Sequence, residues 1–200
     1  MIRTCLVAAG LVATGLAASG TAAADELDQR AAQVYRTAFA GLCTAEEMGF
    51  AEPPQRYALS YVEGDYDDAP TVEAHLFRFL CGRGAYNELS VYILADPYGA
   101  VAPVGFAMPA LDIRYVGEEW EQVESIAVTG YVSELVLVNA DFDPATETIT
   151  AANRWRGLGD AFSVGRWVFR RGEFALTYYE VDAAYDGEIT PEVVVEFPGG

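Results

Sequence analysis

The chain has no lysine, one histidine (His75), and three cysteines at positions 5, 43 and 81. All of its basic charge is therefore arginine, which reads as a coding bias and carries no mechanism. A single histidine leaves little room for Ser-His-Asp or Cys-His catalysis, since either system would have to use His75. No activated-nucleophile motif accompanies it. Alternation places His75 on the same strand face as Phe77 and Phe79, as a structural histidine at the core or edge. An ordinary zinc site is disfavoured as well, because one histidine and two cysteines cannot supply four ligands. No cofactor is expected.

Long apolar runs are also missing. The longest, Leu6 to Ala18, has 13 residues, whereas a membrane-spanning helix needs about 20. It is preceded by Arg3 and followed by Ser19-Gly20-Thr21-Ala22-Ala23-Ala24. Charge, apolar stretch and a small-residue Ala-x-Ala end form the order of a cleavable secretory signal. Residues 1–24 are expected to be removed near Ala24/Asp25, which places the protein in the periplasm or outside the cell. The rival reading is an uncleaved anchor. Cys5 precedes the apolar run and Cys43 follows a leucine, so a lipoprotein signal is disfavoured. No membrane insertion is expected after cleavage.

What remains is 176 of the 200 residues, with 30 acids against 11 arginines and a formal charge of −19. So acidic a surface repels nucleic acid and anionic lipid. An apolar fraction of 52% argues against disorder. The length suits one domain. In an oxidising compartment Cys43 and Cys81 suggest a disulfide, the alternative being two buried thiols.

Leu27, Ala31, Val34, Tyr35, Ala38, Phe39 and Leu42 share one face at helical spacing, predicting an amphipathic helix over 27–42. From residue 57 the period changes to two. Strands are predicted over 57–62, 73–81 and 86–95, with an acidic loop between the first two. Shorter ones follow over 101–106 and 111–116, around Pro109, and over 125–128 and 135–139. Asp141 to Thr146 reads as a turn, followed by strands over 148–154, 165–170, 173–179 and 191–197. The last pair but one flanks Arg171-Gly172, a hairpin signal. No βαβ alternation appears, which speaks against a nucleotide-binding parallel sheet. The expected class is mainly β (β-rich α+β), with an antiparallel sheet, sandwich or partial barrel and one N-terminal helix.

Three segments occur in a telling order: Cys81-Gly-Arg-Gly-Ala-Tyr-Asn87, Leu137-Val-Asn-Ala-Asp-Phe-Asp143 and Arg154-Trp-Arg-Gly-Leu-Gly-Asp160. Trp167 to Leu176 follows the last. Over residues 57–200 this resembles the bacterial exported and envelope family catalogued as domain of unknown function 1176. The family pattern has Cys-Gly after Gly-Asp, where this chain has Ala161-Phe162. It has another cysteine where this chain has Tyr185-Asp186-Gly187. Joint loss of both fits a lost disulfide. The resemblance implies a β-rich exported protein and no activity.

Arg156 and Asp160 flank two glycines and would pair across a tight loop. In a structural role they hold the turn. In a functional role they face a ligand, with Trp155 or Trp167 as a platform. Tyr86 and Asn87 carry the same two meanings, core packing and loop capping or ligand contact. Asp65, Asp67 and Asp68, with Asp141 and Asp143, are oxygen-rich sets that calcium favours. They match no fixed-position calcium loop, and aspartate favours turns on its own account. Glu118, Glu119 and Glu121 read as a solvated loop. The expected function is a non-catalytic binding or envelope-maintenance module for an envelope protein or saccharide. The alternatives are a hydrolase acting on envelope carbohydrate through two carboxylates, or a calcium-stabilised structural domain.

Overall fold

The computed structural model describes residues 19–197, with side chains from Glu26 onward. Residues 1–18 of the predicted export signal lie outside the described residues. Helix α1 (Ser19–Ala38) starts upstream of the predicted Leu27 and stops short of Leu42. Its end is closed by Leu42 and Cys43 amides donating to the Phe39 carbonyl, with Gly41 at φ +74°. A glycine in the left-handed region is the usual way to stop a helix, because side chains resist that conformation.

Twelve strands follow: β1 (Gln55–Val62), β2 (Thr71–Arg83), β3 (Glu88–Ala95), β4 (Val101–Pro103), β5 (Phe106–Tyr115) and β6 (Val123–Glu134), then β7 (Val136–Val138), β8 (Ala140–Asp143), β9 (Thr148–Arg154), β10 (Phe162–Arg170), β11 (Glu173–Asp182) and β12 (Glu192–Glu196). Every pairing is antiparallel. One sheet has the order β1-β2-β3-β4, with β7 also on β3. A second has the order β12-β11-β10-β9-β8, and β5-β6 form a separate hairpin. The protein is a β-rich sandwich, and the sheets do not close into a barrel.

Alternation along β2 explains the layering. Ala74 and Leu76 face the second sheet, in one core with Tyr92, Phe142, Ile149, Trp167 and Phe174. Phe77, Phe79 and Cys81 face the other way, onto Ala31, Tyr35 and Phe39 of α1. Tyr35 stacks on Phe79 at 4.6 Å and donates to the Leu80 carbonyl at 3.0 Å. The predicted Cys43–Cys81 disulfide is present, fastening the segment after the helix to β2.

Two sequence expectations are corrected. Pro109 does not separate two strands but sits inside β5, opposite Tyr131. It is tolerated because β5 pairs on one side only. Asp141 to Asp143 form strand β8, not the start of a turn, because buried Phe142 pairs with Ile149.

Candidate functional site

The inner face of the second sheet contains a run of small side chains. Ser163 lies opposite Asn153, Gly165 opposite Ala151, and Trp167 opposite Ile149. Across β11, Gly165 lies opposite Tyr179. Small residues here leave a depression, and the indole of Trp167 folds back across Gly165. A Cβ on that glycine would lie 2.3 Å from the ring. The β5–β6 hairpin roofs the depression with Met108 and Val132, a cross-strand pair. Trp167 fixes the roof by donating from Nε1 to the Ala107 carbonyl at 2.9 Å. β7 supplies a side wall through Val136 and Val138.

The result is a cleft of about 330 Å³ where all three sheets meet. Its aromatic floor is buried: Trp167 is fully inaccessible and Tyr179 nearly so. Burial raises the Tyr179 hydroxyl pKa, opposed by its hydrogen bond with Ser163. Glu134 is exposed at the rim. Neither the Glu134 carboxylate nor the half-buried Asn153 amide has a hydrogen-bonding or ion-pair partner among the described residues. A concavity in which apolar walls meet a few convergent polar groups is a common form of small-ligand site.

Of the six residues singled out from sequence, only Trp167 lines this cleft. Arg156 and Asp160 face each other. Arg156 Nε donates to Asp160 Oδ1 at 2.6 Å and Nη2 donates to Oδ2, a two-pronged pair. Asp160 Oδ2 also accepts the Gly187 amide at 2.8 Å. The Arg156 bonds, helped by that amide, hold the buried carboxyl well below the usual carboxylate range. The guanidinium lies 5.1 Å from the Tyr185 ring centre. Tyr185 in turn packs against exposed Trp120, whose φ of +59° is unusual for a bulky residue. Trp120 shares its exposed loop with Glu118, Glu119 and Glu121.

Tyr86 is 42% exposed and lies against Gly157. Asn87 donates to the Arg154 carbonyl at 2.8 Å, bridging the sheets. Trp155 is half-buried against the core. Two of the five calcium candidates, Asp65 and Asp143, are engaged by other groups. Asp65 pairs with Arg171 at 2.6 Å. Asp143 accepts the Ala145 amide and the Thr146 hydroxyl, which lowers its pKa. Asp68 sits at φ +65° in the loop before β2, and Asp67 and Asp141 are exposed. No group of three or more His, Cys, Asp or Glu able to hold a metal occurs among the described residues.

His75 lies beside Glu73 at 3.2 Å and leaves Nδ1 without a partner. Burial, helped by nearby Arg56, pushes its pKa down and favours the neutral ring. The cleft contains one carboxylate, Glu134, whereas glycoside hydrolysis needs two. A second depression holds Asp96 and Glu173, but Asp96 Oδ1 already accepts the Tyr98 and Ala100 amides of its turn.

A family model described as protein of unknown function (DUF1176) matches residues 17–187. The chain belongs to the DUF1176 family. No curated protein and no solved structure matches it. The DUF1176 match takes in α1 and the disulfide as well as the cleft, and ends before β12. In this DUF1176 chain the two segments that resemble cysteine-bearing ones are neighbours. Buried Ala161 follows Asp160, and Asp160 and Arg156 bind the Tyr185–Gly187 segment. A main-chain hydrogen bond from Gly187 to Asp160 and the contact of Arg156 with the Tyr185 ring join these two segments. Among the described residues no helix is long and apolar enough to cross a membrane.

Asn153, Ser163, Tyr179 and Glu134 carry no motif that would mark them in the sequence. The available signal was the run Ser163-x-Gly165-x-Trp167 at inward positions of one strand. Two small residues before a large one mark a place where a sheet cannot fill its own interior.

Proposed function

We propose that this chain is an exported, non-catalytic binding module whose ligand occupies the cleft beneath the β5–β6 hairpin. One observation carries the proposal: the Asn153 amide and Glu134 carboxylate line a cleft walled by Met108, Val132 and Val136, and neither has a partner among the described residues. Glu134 is hydrated at the exposed rim, so the cost of an unpaired polar group falls on the half-buried Asn153 amide. The N-terminal signal pattern and the Cys43–Cys81 bridge support export.

Two measurements test the proposal. Expression with the native N-terminus should yield a processed chain beginning near Asp25 in the exported fraction. A full-length chain retained in the cytoplasm would defeat the export half. For the binding half, envelope small molecules are screened by thermal shift against the wild type and two variants, Ala151→Leu and Asn153→Ala. Ala151→Leu fills the cleft, and Asn153→Ala removes the unpartnered amide. A ligand that stabilises all three proteins equally binds somewhere else.

A further inference from the structure

We propose that the cleft selects a small amphipathic cation, an ammonium head on an apolar body, and rejects the matching carboxylate. This deepens the binding role just given and rests on it. Three features of the cleft point the same way.

The first is charge. Glu134 is the one carboxylate lining the cleft, and no arginine or histidine lines it. The chain as a whole carries −18 and no lysine. An anion entering here meets like charge and no donor cation, whereas a cation meets an unpaired carboxylate.

The second is hydrogen-bonding type. An ammonium has three donors and no acceptor. The Glu134 carboxylate and the Asn153 carbonyl oxygen are acceptors that no described residue uses. A ligand carboxylate could accept only from the Asn153 Nδ2 and would leave Glu134 unmatched.

The third is depth. Glu134 is exposed at the rim, while Trp167 and Tyr179 are buried at the floor between Met108, Val132 and Val136. The one charged group of the lining stands at the exposed rim and every other lining residue is neutral, matching a molecule with one charged end. A volume near 330 Å³ equals about eleven waters, which suits a chain of six to eight carbons more than a polymer. A saccharide fits less well, because the indole is covered and its N–H already binds Ala107.

The test uses the purified chain with its disulfide intact, at about 0.15 M salt so that the general surface field is screened. Hexylammonium, hexanol, hexanoate and N-acetylglucosamine are titrated by calorimetry into the wild type, Glu134→Gln and Glu124→Gln. Hexylammonium should bind at least tenfold more tightly than hexanoate. Glu134→Gln should remove that preference while leaving hexanol unchanged, and Glu124→Gln should keep it. Equal binding of the three six-carbon probes would overturn cation selection and leave the cleft as a binding site. An equal loss in both variants would also overturn it, by assigning the preference to net charge. Binding of the sugar alone would replace the ligand class, and binding of no probe to any protein would count against the cleft itself.

Discussion

Asn139 donates from Nδ2 to Asn87 Oδ1 at 2.8 Å, and through this pair the two sheets of the sandwich are fastened. The same Nδ2 donates to the Ala152 carbonyl at 2.9 Å, and Asn139 Oδ1 accepts the Glu88 amide at 2.7 Å. Asn87 completes the set by donating to the Arg154 carbonyl. Asn139 adopts φ +47°, a conformation that asparagine tolerates better than most residues.

Asn139→Ala should therefore lower the unfolding free energy by about 2–4 kcal/mol, from unmade hydrogen bonds and a strained backbone. Asn139→Gly keeps the backbone relaxed and should cost less. Urea titration of both variants checks this. Equal costs would show that the backbone conformation contributes nothing.

Gly165 is required by its neighbour. With the Trp167 indole where a Cβ would go, Gly165→Ala must displace a fully buried ring. The expected cost is about 1–3 kcal/mol. It should be accompanied by a change in tryptophan emission, since the Trp167 hydrogen bond to Ala107 holds the hairpin roof. Unchanged stability and emission would mean that the ring has room to move.

Much of this architecture was legible in the sequence. Alternation located β1, β2 and β3, and Arg171-Gly172 marked the β10–β11 hairpin. Its two central residues have φ +53° and +87°, the positive values that a two-residue turn of this kind needs. Helical spacing found the Ala31, Tyr35 and Phe39 stripe. The cleft was not legible, because it depends on pairing across long separations. Its roof and floor meet through Trp167 and Ala107, 60 residues apart. Local pattern allowed Arg156 and Asp160 either to hold the turn or to face a ligand, since a charged pair between glycines looks the same whether it faces a ligand or itself.

Closing the loop between Cys43 and Cys81, 38 residues apart, should stabilise the fold by about 3–4 kcal/mol through restriction of the unfolded chain. The bridge also holds the segment after α1 on β2. Cys43→Ser with Cys81→Ser should therefore lower the melting temperature and expose α1 amides to hydrogen exchange before those of the β10–β11 hairpin. Simultaneous loss of protection in both would show that the helix layer is not separately dependent on the bridge.

The Arg156–Asp160 pair predicts a specific acid dependence. Asp160 has a folded-state pKa below its ordinary value of 3.8. The unfolded chain therefore binds its proton first as pH falls. The stability this contributes is complete above about pH 5 and drains away as pH drops through 3.8 toward the folded-state value. Asp160→Asn cannot titrate, so its stability curve lacks that component. Wild type should be the more stable protein at pH 7, and the gap should narrow steadily between pH 5 and pH 2. The other carboxylates occur in both proteins and cancel in the difference. Denaturant titrations across that range decide the matter: a gap of constant size would mean that the pair contributes through shape alone and not through charge.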